Sequence, residues 1–377
     1  MRSERVAILP PGPGGQRHLT FLRFGDPEAR PRAYLQAALH ADETPGILVL
    51  HHLAQRLEQA EASGRLKGSV TLAPSANPIG LSQFLGGHHV GRYGLDGVAN
   101  FNRGWPDLAR QAAERLDGRL GGDAAANIAL VRRTLLDALD EVPPLSEAAG
   151  WRRTLLREGI EADLVLDLHC DDEALLHLFM VPQLWPRGAP LAARLGCRAV
   201  MLGEKSGGWP FEETFSELWT RLARHFPEAA LPPACFSTTV ELRGLADVDD
   251  ALAAGDAEAL YGFLRDEGVI EDPGVALPPP PPEATPLAAT QFLRAPVPGL
   301  VAYKAALGQE VRTGDPIAEL VDPLAEDPRR ARLALHAGTD GLVLSRRLHK
   351  WVPAGTSVAK IVGRDPLPPG PGTLLED

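Results

Sequence analysis

Short apolar runs bounded by turn residues open the chain. LTFLRF (19–24) and AYLQAAL (33–39) read as strands, and GDPEARPR between them is turn chemistry. After His40 comes DETPG and then ILVLHHLAQRLEQAEAS, in which the apolar positions 47, 50, 53, 54 and 57 share one helical face. A strand ending near 39 and a helix starting near 43 therefore predict a tight strand-to-helix unit. SVTLAP (69–74) is the next strand, and it runs into a loop of more than 30 residues, from Ser75 to Pro106. Long loops without structure of their own tend to carry function. Helices are expected near 107–118 and 124–141. ADLVLDLHC (162–170) reads as a buried strand with His169 at its end, and 175–182 and 198–203 as further strands. FEETFSELWTRLARHF (211–226) is an amphipathic helix, FSTTVEL (236–242) a strand, and 248–268 a last helix. Strands alternating with helices predict an α/β domain with a mixed or mostly parallel sheet, whose ligands bind beyond the strand ends. His40, His169 and Glu241 all fall at or near such ends.

GVALPPPPPEATP marks a proline-rich linker. It divides the chain into an α/β domain (1–273), a linker (274–288) and an all-β segment (289–377). Beyond the linker lies an internal repeat. Each half has Gly-Leu-Val (299–301 and 341–343), then Val-x-x-Gly (311–314 and 352–355), then an apolar strand. Two such halves pack as a small sandwich, and the segment resembles the barrel-sandwich hybrid of biotinyl and lipoyl domains. Residues 321–335 between the halves contain no Lys, which disfavours a carrier role.

Composition narrows the function. The chain has 377 residues, 44% hydrophobic and 23% charged, as expected of a soluble globular protein that needs no metal to fold. A net charge of −11 disfavours a nucleic-acid partner. Three widely spaced cysteines, Cys170, Cys197 and Cys235, fit neither a disulfide framework nor a thiolate metal site. No signal peptide or membrane span is evident, so a cytoplasmic protein is expected. A homo-oligomer is left open.

The candidate chemistry starts at His40-Ala41-Asp42-Glu43. A His and a Glu three apart at a strand-to-helix turn can face one point, and zinc accepts both donor types. His169 supplies the third ligand, leaving a fourth position for water. HADETPG, NFNR, DLHC and TVELRG, in that order over residues 15–265, resemble the succinylglutamate desuccinylase/aspartoacylase family, a branch of the zinc-carboxypeptidase-like fold. A small C-terminal β domain is also a feature of that family. The resemblance implies one zinc ion per chain, held by His40, Glu43 and His169. It implies Glu241 as the general base, which first takes a proton from water and later hands it to the leaving amine. It implies Asn102 and Arg103 as anchors for a substrate carboxylate, and Arg92 as the group steadying the oxyanion.

Bland alternatives stand beside these roles. Glu241 would then pair with Arg243, and Arg92 would face solvent. Ala41 stands where the family often has Gly. Asp167 is expected to orient His169 or an Arg. One of His51 and His52 is expected to pack internally. His88 and His89 are alternative ligands or substrate contacts, and His177 is a satisfied core residue. Cys170 should point away from the site by strand alternation. Tyr303 would reach the site if the C-terminal segment caps it. The expected function is zinc-dependent hydrolysis of a small amide bearing a carboxylate, an N-acyl amino acid. The rivals are a metallocarboxypeptidase acting on short peptides and a non-catalytic metal-binding module.

Overall fold

The computed structural model describes residues 1–10, 12, 15–95, 99–274, 276, 278–281 and 283–368. Parts of the expected long loop (96–98), linker (275, 277, 282) and C-terminal segment (369–377) lie outside the described residues.

The first stretch gives β1 (Arg2–Ala7), β2 (His18–Phe24), β3 (Arg32–Ala37), α1 (Pro45–Ala62) and β4 (Ser69–Ala73), then a short hairpin of β5 (Phe84–Leu85) and β6 (His88–His89). Three helices follow: α2 (Leu108–Leu116), α3 (Ala124–Glu141) and α4 (Glu147–Glu161). Next come β7 (Leu164–Asp171), β8 (Glu173–Ala174), β9 (His177–Met180), α5 (Trp185–Leu195), β10 (Ala199–Leu202), α6 (Phe211–His225), β11 (Phe236–Gly244) and α7 (Asp250–Asp266). The described residues include a nine-stranded mixed sheet in the order β1-β2-β4-β3-β7-β11-β9-β10, with β12 (Thr285–Pro286) at its edge. Its centre, β4-β3-β7-β11, is parallel.

Alternation along β7 divides the core. Leu164, Leu166 and Leu168 pack with α1, α5 and α7, while Val165 packs on the other face with α2, α3, α4 and α6. Asp167 and His169 share the parity of Val165 and so point toward the α6 side. Gly46 in the first turn of α1 makes the close approach possible: a Cβ there would lie 2.9 Å from Ala37 Cβ and 3.1 Å from Leu168 Cβ.

The rest of the chain forms β13 (Thr290–Arg294), β14 (Gly299–Tyr303), β15 (Glu310–Val311), β16 (Pro316–Val321), β17 (Arg332–His336), β18 (Gly341–Arg346), β19 (Trp351–Val352) and β20 (Ser357–Val362). The two halves of the repeat give matching strands, but they exchange the short ones. β15 of the first half pairs with β18 of the second, and β19 of the second pairs with β14 of the first. Val301, Ile317, Val343, Val358 and Ile361 fill the space between the two sheets.

This β lobe does not hang on the linker alone. Residues 285 and 286, expected as linker, pair with Met201 and Leu202, because the edge of β10 offers free backbone groups. β8 pairs with β18, and Leu344 and Val362 pack with Phe179 and Met201.

Candidate metal centre and cleft

His40, Glu43 and His169 meet at one point, with one ligand atom from each lying within 4.8 Å of the others. Glu43 stands between the imidazoles. Its Oε1 is 2.8 Å from His40 Nδ1 and its Oε2 is 2.7 Å from His169 Nδ1. Both rings therefore present Nδ1 inward, and their Nε2 atoms are held from behind. His40 Nε2 donates to Asn100 Oδ1 at 2.7 Å. His169 Nε2 lies 3.0 Å from Asp167 Oδ2. Asp167 is in turn fixed by Gln36, which accepts from the Tyr34 hydroxyl. Outer partners of this kind orient ligating imidazoles and set their tautomer. Two nitrogens and a carboxylate, all buried, form a donor set suited to a divalent ion of the zinc type.

The electrostatics agree with that geometry. Burial, helped by the Arg92 guanidinium, lowers His40 to about 4, so the ring is neutral at neutral pH. Burial would also lower His169, but the Asp167 and Glu43 carboxylates outweigh it and hold this imidazole well above its ordinary value. Glu43 is driven well below the usual carboxylate range, since the two imidazoles overcome its desolvation.

Glu241 sits opposite His169 in the register of β11 and β7, so both side chains share a face. Burial and the nearby Glu43 charge push its carboxyl up to about 8. Its Oε2 has no hydrogen-bond partner among the described residues. The alternative pairing with Arg243 does not form. Arg243 takes a left-handed backbone (φ 65°) at an irregularity in β11 and binds Asp256 with both Nη atoms, at 2.7 and 2.8 Å.

Arg92 is not a solvent-facing loop residue: its Nη1 donates to Glu43 Oε1 at 2.9 Å and lies beside the cluster. Asn102 is buried, with its Oδ1 accepting from the Phe211 N–H that starts α6 and its Nδ2 at 3.2 Å from His169 Nε2. Arg103 lines the same cleft and donates to the Asn102 carbonyl. Asn100, two residues before Asn102, was not singled out from sequence. Its place at the end of the long loop was the only available signal.

The remaining histidines sort out plainly. Neither His51 nor His52 packs internally; His52 Nε2 faces Asp250 at 3.0 Å. His89 stacks on Phe84 and lines the cleft, while His88 is exposed. His177 is buried and bonded through Nδ1 to the Leu175 carbonyl, but its Nε2 finds no partner among the described residues. The Cys170 thiol is pushed well above its ordinary value by burial and Glu43, which makes it a poor nucleophile.

The cluster opens into a cleft of about 530 Å³. One wall comes from the β lobe, through Arg346, Arg347, His349 and Lys360. Tyr303 is not among these residues; its hydroxyl is spent on the Val358 carbonyl and the Arg347 N–H inside the lobe. Three consecutive acids beyond His169 anchor that wall. Asp171 meets Lys360 at 2.6 Å, Asp172 meets Arg347 at 2.9 Å, and Glu173 meets Arg346 at 3.0 Å and Lys350 at 2.7 Å.

Residues 29–130 match the succinylglutamate desuccinylase/aspartoacylase catalytic domain. The resemblance drawn from the motifs is borne out. The matched stretch holds His40, Glu43, Arg92, Asn102 and Arg103. Among solved structures, a protein of that family from Shewanella amazonensis superposes with a TM-score of 0.83 at 24% identity, covering 96% of this chain and 98% of its own. A relative from Shewanella frigidimarina gives 0.80 at 22% identity, covering 96% and 97%. The ectoine utilization protein EutE (DoeB) of Ruegeria pomeroyi gives 0.66 at 18%, covering 96% and 95%. At these identities the likeness speaks for a shared α/β fold over nearly the whole chain. No curated protein matches the sequence significantly.

Proposed function

We propose that the chain is a zinc-dependent amidohydrolase that removes the acyl group from an N-acyl amino acid. The observation that carries this reading is the His40–Glu43–His169 cluster facing one point, with Glu241 beside His169 in the strand register. Those three side chains would hold a divalent ion, which when bound would supply an acidified water and a Lewis acid for the amide carbonyl.

The chain's own groups perform the rest. Glu241 accepts the proton of the attacking water on its unpaired Oε2 and returns it to the departing amine nitrogen. A buried carboxyl whose proton affinity is raised by desolvation and the Glu43 charge holds the proton it takes until the amine departs. Arg92 sets its guanidinium where negative charge gathers on the former carbonyl oxygen. Arg103 offers a planar fork for the substrate carboxylate, and Asn102 supports it by fixing the start of α6. Residues 1–273 form the hydrolase body in this reading, and 289–377 the lobe that walls the cleft.

The test is an activity screen of zinc-loaded protein against N-acetyl, N-succinyl and N-formyl amino acids, with Glu241→Gln as control. Release of free amino acid by the parent protein and its loss in the variant is the expected result. Release only of C-terminal residues from short peptides would sink the deacylase reading.

A further inference from the structure

One rim of the cleft is apolar and open. Leu85, Tyr93 and Leu95 line the same cleft as His40, Glu43 and His169, yet they are 64%, 46% and 60% exposed. Val90 lines it beside them, half-buried. Large apolar side chains gathered in the open beside a polar cleft mark a binding surface.

The rim is built before any ligand arrives. β5 and β6 join through Gly86 and Gly87, both left-handed (φ 59° and 84°), as a two-residue hairpin turn requires. The buried Gln83 side chain ties this hairpin to the next stretch. Its Nε2 donates to the Val90 and Tyr93 carbonyls at 2.8 and 2.7 Å, and its Oε1 accepts from Leu95 N at 2.9 Å. A surface held in this way loses little freedom on binding.

Its place beside the reacting groups decides what it takes. Phe101 N donates to the Arg92 carbonyl at 3.1 Å and Tyr93 bridges Asn100, so the two stretches run antiparallel. Leu95 therefore lies to one side of Arg92 along this ribbon and Arg103 to the other. In the deacylase reading, Arg103 holds the carboxylate of the amino-acid half and Arg92 the carbonyl oxygen. The rim falls to the acyl half.

We propose that the cleft takes N-acyl amino acids whose acyl group is an apolar chain of about octanoyl length. The proposal rests on the deacylase reading above. At about 3.3 Å per residue, Leu95 lies about 10 Å from Arg92. An extended chain advances about 1.2 Å per bond, so an octanoyl group reaches about 8 Å from its carbonyl carbon, past Tyr93 and into contact range of the Leu95 side chain. The cations of the opposite wall do not call for an anionic acyl group, because Lys360, Arg347 and Arg346 are paired with Asp171, Asp172 and Glu173.

The experiment compares kcat/KM of the zinc-loaded protein for the N-acetyl, N-succinyl and N-octanoyl forms of aspartate, glutamate and alanine. It uses the parent and a Leu85→Ser, Leu95→Ser double variant, whose positions are exposed enough to accept serine without loss of the fold. A fully buried methylene is worth about fourfold, and a rim open on one side about half of that. Octanoyl is expected to exceed acetyl by about 30-fold or more, and the ratio to fall about tenfold in the double variant. Equal rates for octanoyl and acetyl, a preference for succinyl, or a ratio unchanged in the variant would overturn the proposal. An unchanged ratio together with a dimer that dissociates in the variant, read by sedimentation, would assign the rim to a second copy of the chain instead. If no acyl amino acid of any kind is cleaved, the deacylase reading fails, and calorimetric titration with octanoate and succinate decides the rim alone. Octanoate that binds more tightly than succinate, and more weakly to the variant, sustains it; octanoate that binds no better than succinate, or equally to both proteins, refutes it.

Discussion

Glu241 and His169 are direct partners across two parallel strands, so a carboxyl and an imidazole stand on the same face of the sheet. The relationship is fixed by backbone pairing. A one-residue slip of β11 would turn Glu241 toward the apolar side with Val240 and Leu242. Glu241→Gln keeps the shape and the pairing but cannot carry the proton. Turnover is expected to fall by about 10²- to 10⁴-fold with metal content unchanged. Steady-state kinetics together with elemental analysis measure both, and loss of metal in this variant would contradict the assignment.

Metal uptake should depend on pH through His169. This imidazole is held above its ordinary value by Asp167 and Glu43, so below that value its nitrogen carries a proton that an ion must displace. Affinity therefore rises with pH and weakens as pH falls. His40, lowered to about 4, adds no dependence above pH ~5. Competition titrations with a chromophoric chelator are expected to show up to about tenfold weaker binding per pH unit on the acid side. A flat profile from pH ~5.5 to ~8 would rule out a proton on His169 as the competitor.

The groups behind the rings should matter to the metal more than to the fold. Asn100→Ala frees His40 Nε2, and Asp167→Asn removes the carboxylate behind His169. Each is expected to weaken metal binding by about 10- to 100-fold. Far-ultraviolet circular dichroism should stay unchanged. Unaltered affinity in both variants would show that the rings are positioned by packing alone.

Gly46 lets α1 start against β3 and β7, and a methyl group has no room there. Gly46→Ala is expected to lose about 1–3 kcal/mol in chemical denaturation. Gly64, where a Cβ would meet nothing within 4 Å, takes no such steric penalty. Its left-handed φ of 71° still favours glycine, so the comparison separates crowding from backbone strain.

The Lys360–Asp171 pair is largely shielded, each side chain being 16% exposed, and it joins the β lobe to the strand carrying His169. Lys360→Met leaves Asp171 without its cation. Stability should drop by about 2–4 kcal/mol, and KM should rise as the wall loosens. Unchanged stability and KM would mean that the backbone pairing of β8 with β18 suffices to hold the lobe.

Much of the framework was readable before any coordinates. The strand ending at His169 and the helix after Glu43 carry clear periodicity, and both lie within two residues of the expected bounds. The meeting of His40, Glu43 and His169 was legible because strand ends of an α/β sheet converge. Other parts were not. α5 begins Trp-Pro-Arg-Gly-Ala-Pro, and two prolines and a glycine hide a helix that packing on the sheet sustains. α4 carries a usable stripe, Trp151, Leu155, Leu156 and Ile160, and was passed over. The Glu212 carboxyl lies on a helix whose acidic start looks like ordinary dipole chemistry. Only its burial, and an Oε2 without a hydrogen-bond partner among the described residues, set it apart. The contribution of the β lobe to the cleft depends on how two sheets dock, which no local pattern encodes.

The traded short strands of the C-terminal repeat carry an evolutionary and practical consequence. Neither copy owns a whole sheet, so neither is a viable piece by itself. Arg346, Arg347 and Lys360, which face the cleft, all belong to the second copy, while β15, bordering their sheet, belongs to the first. A chain cut between the copies would strip that sheet of its outer strand. The wall of the cleft is thus guaranteed by residues that never approach it.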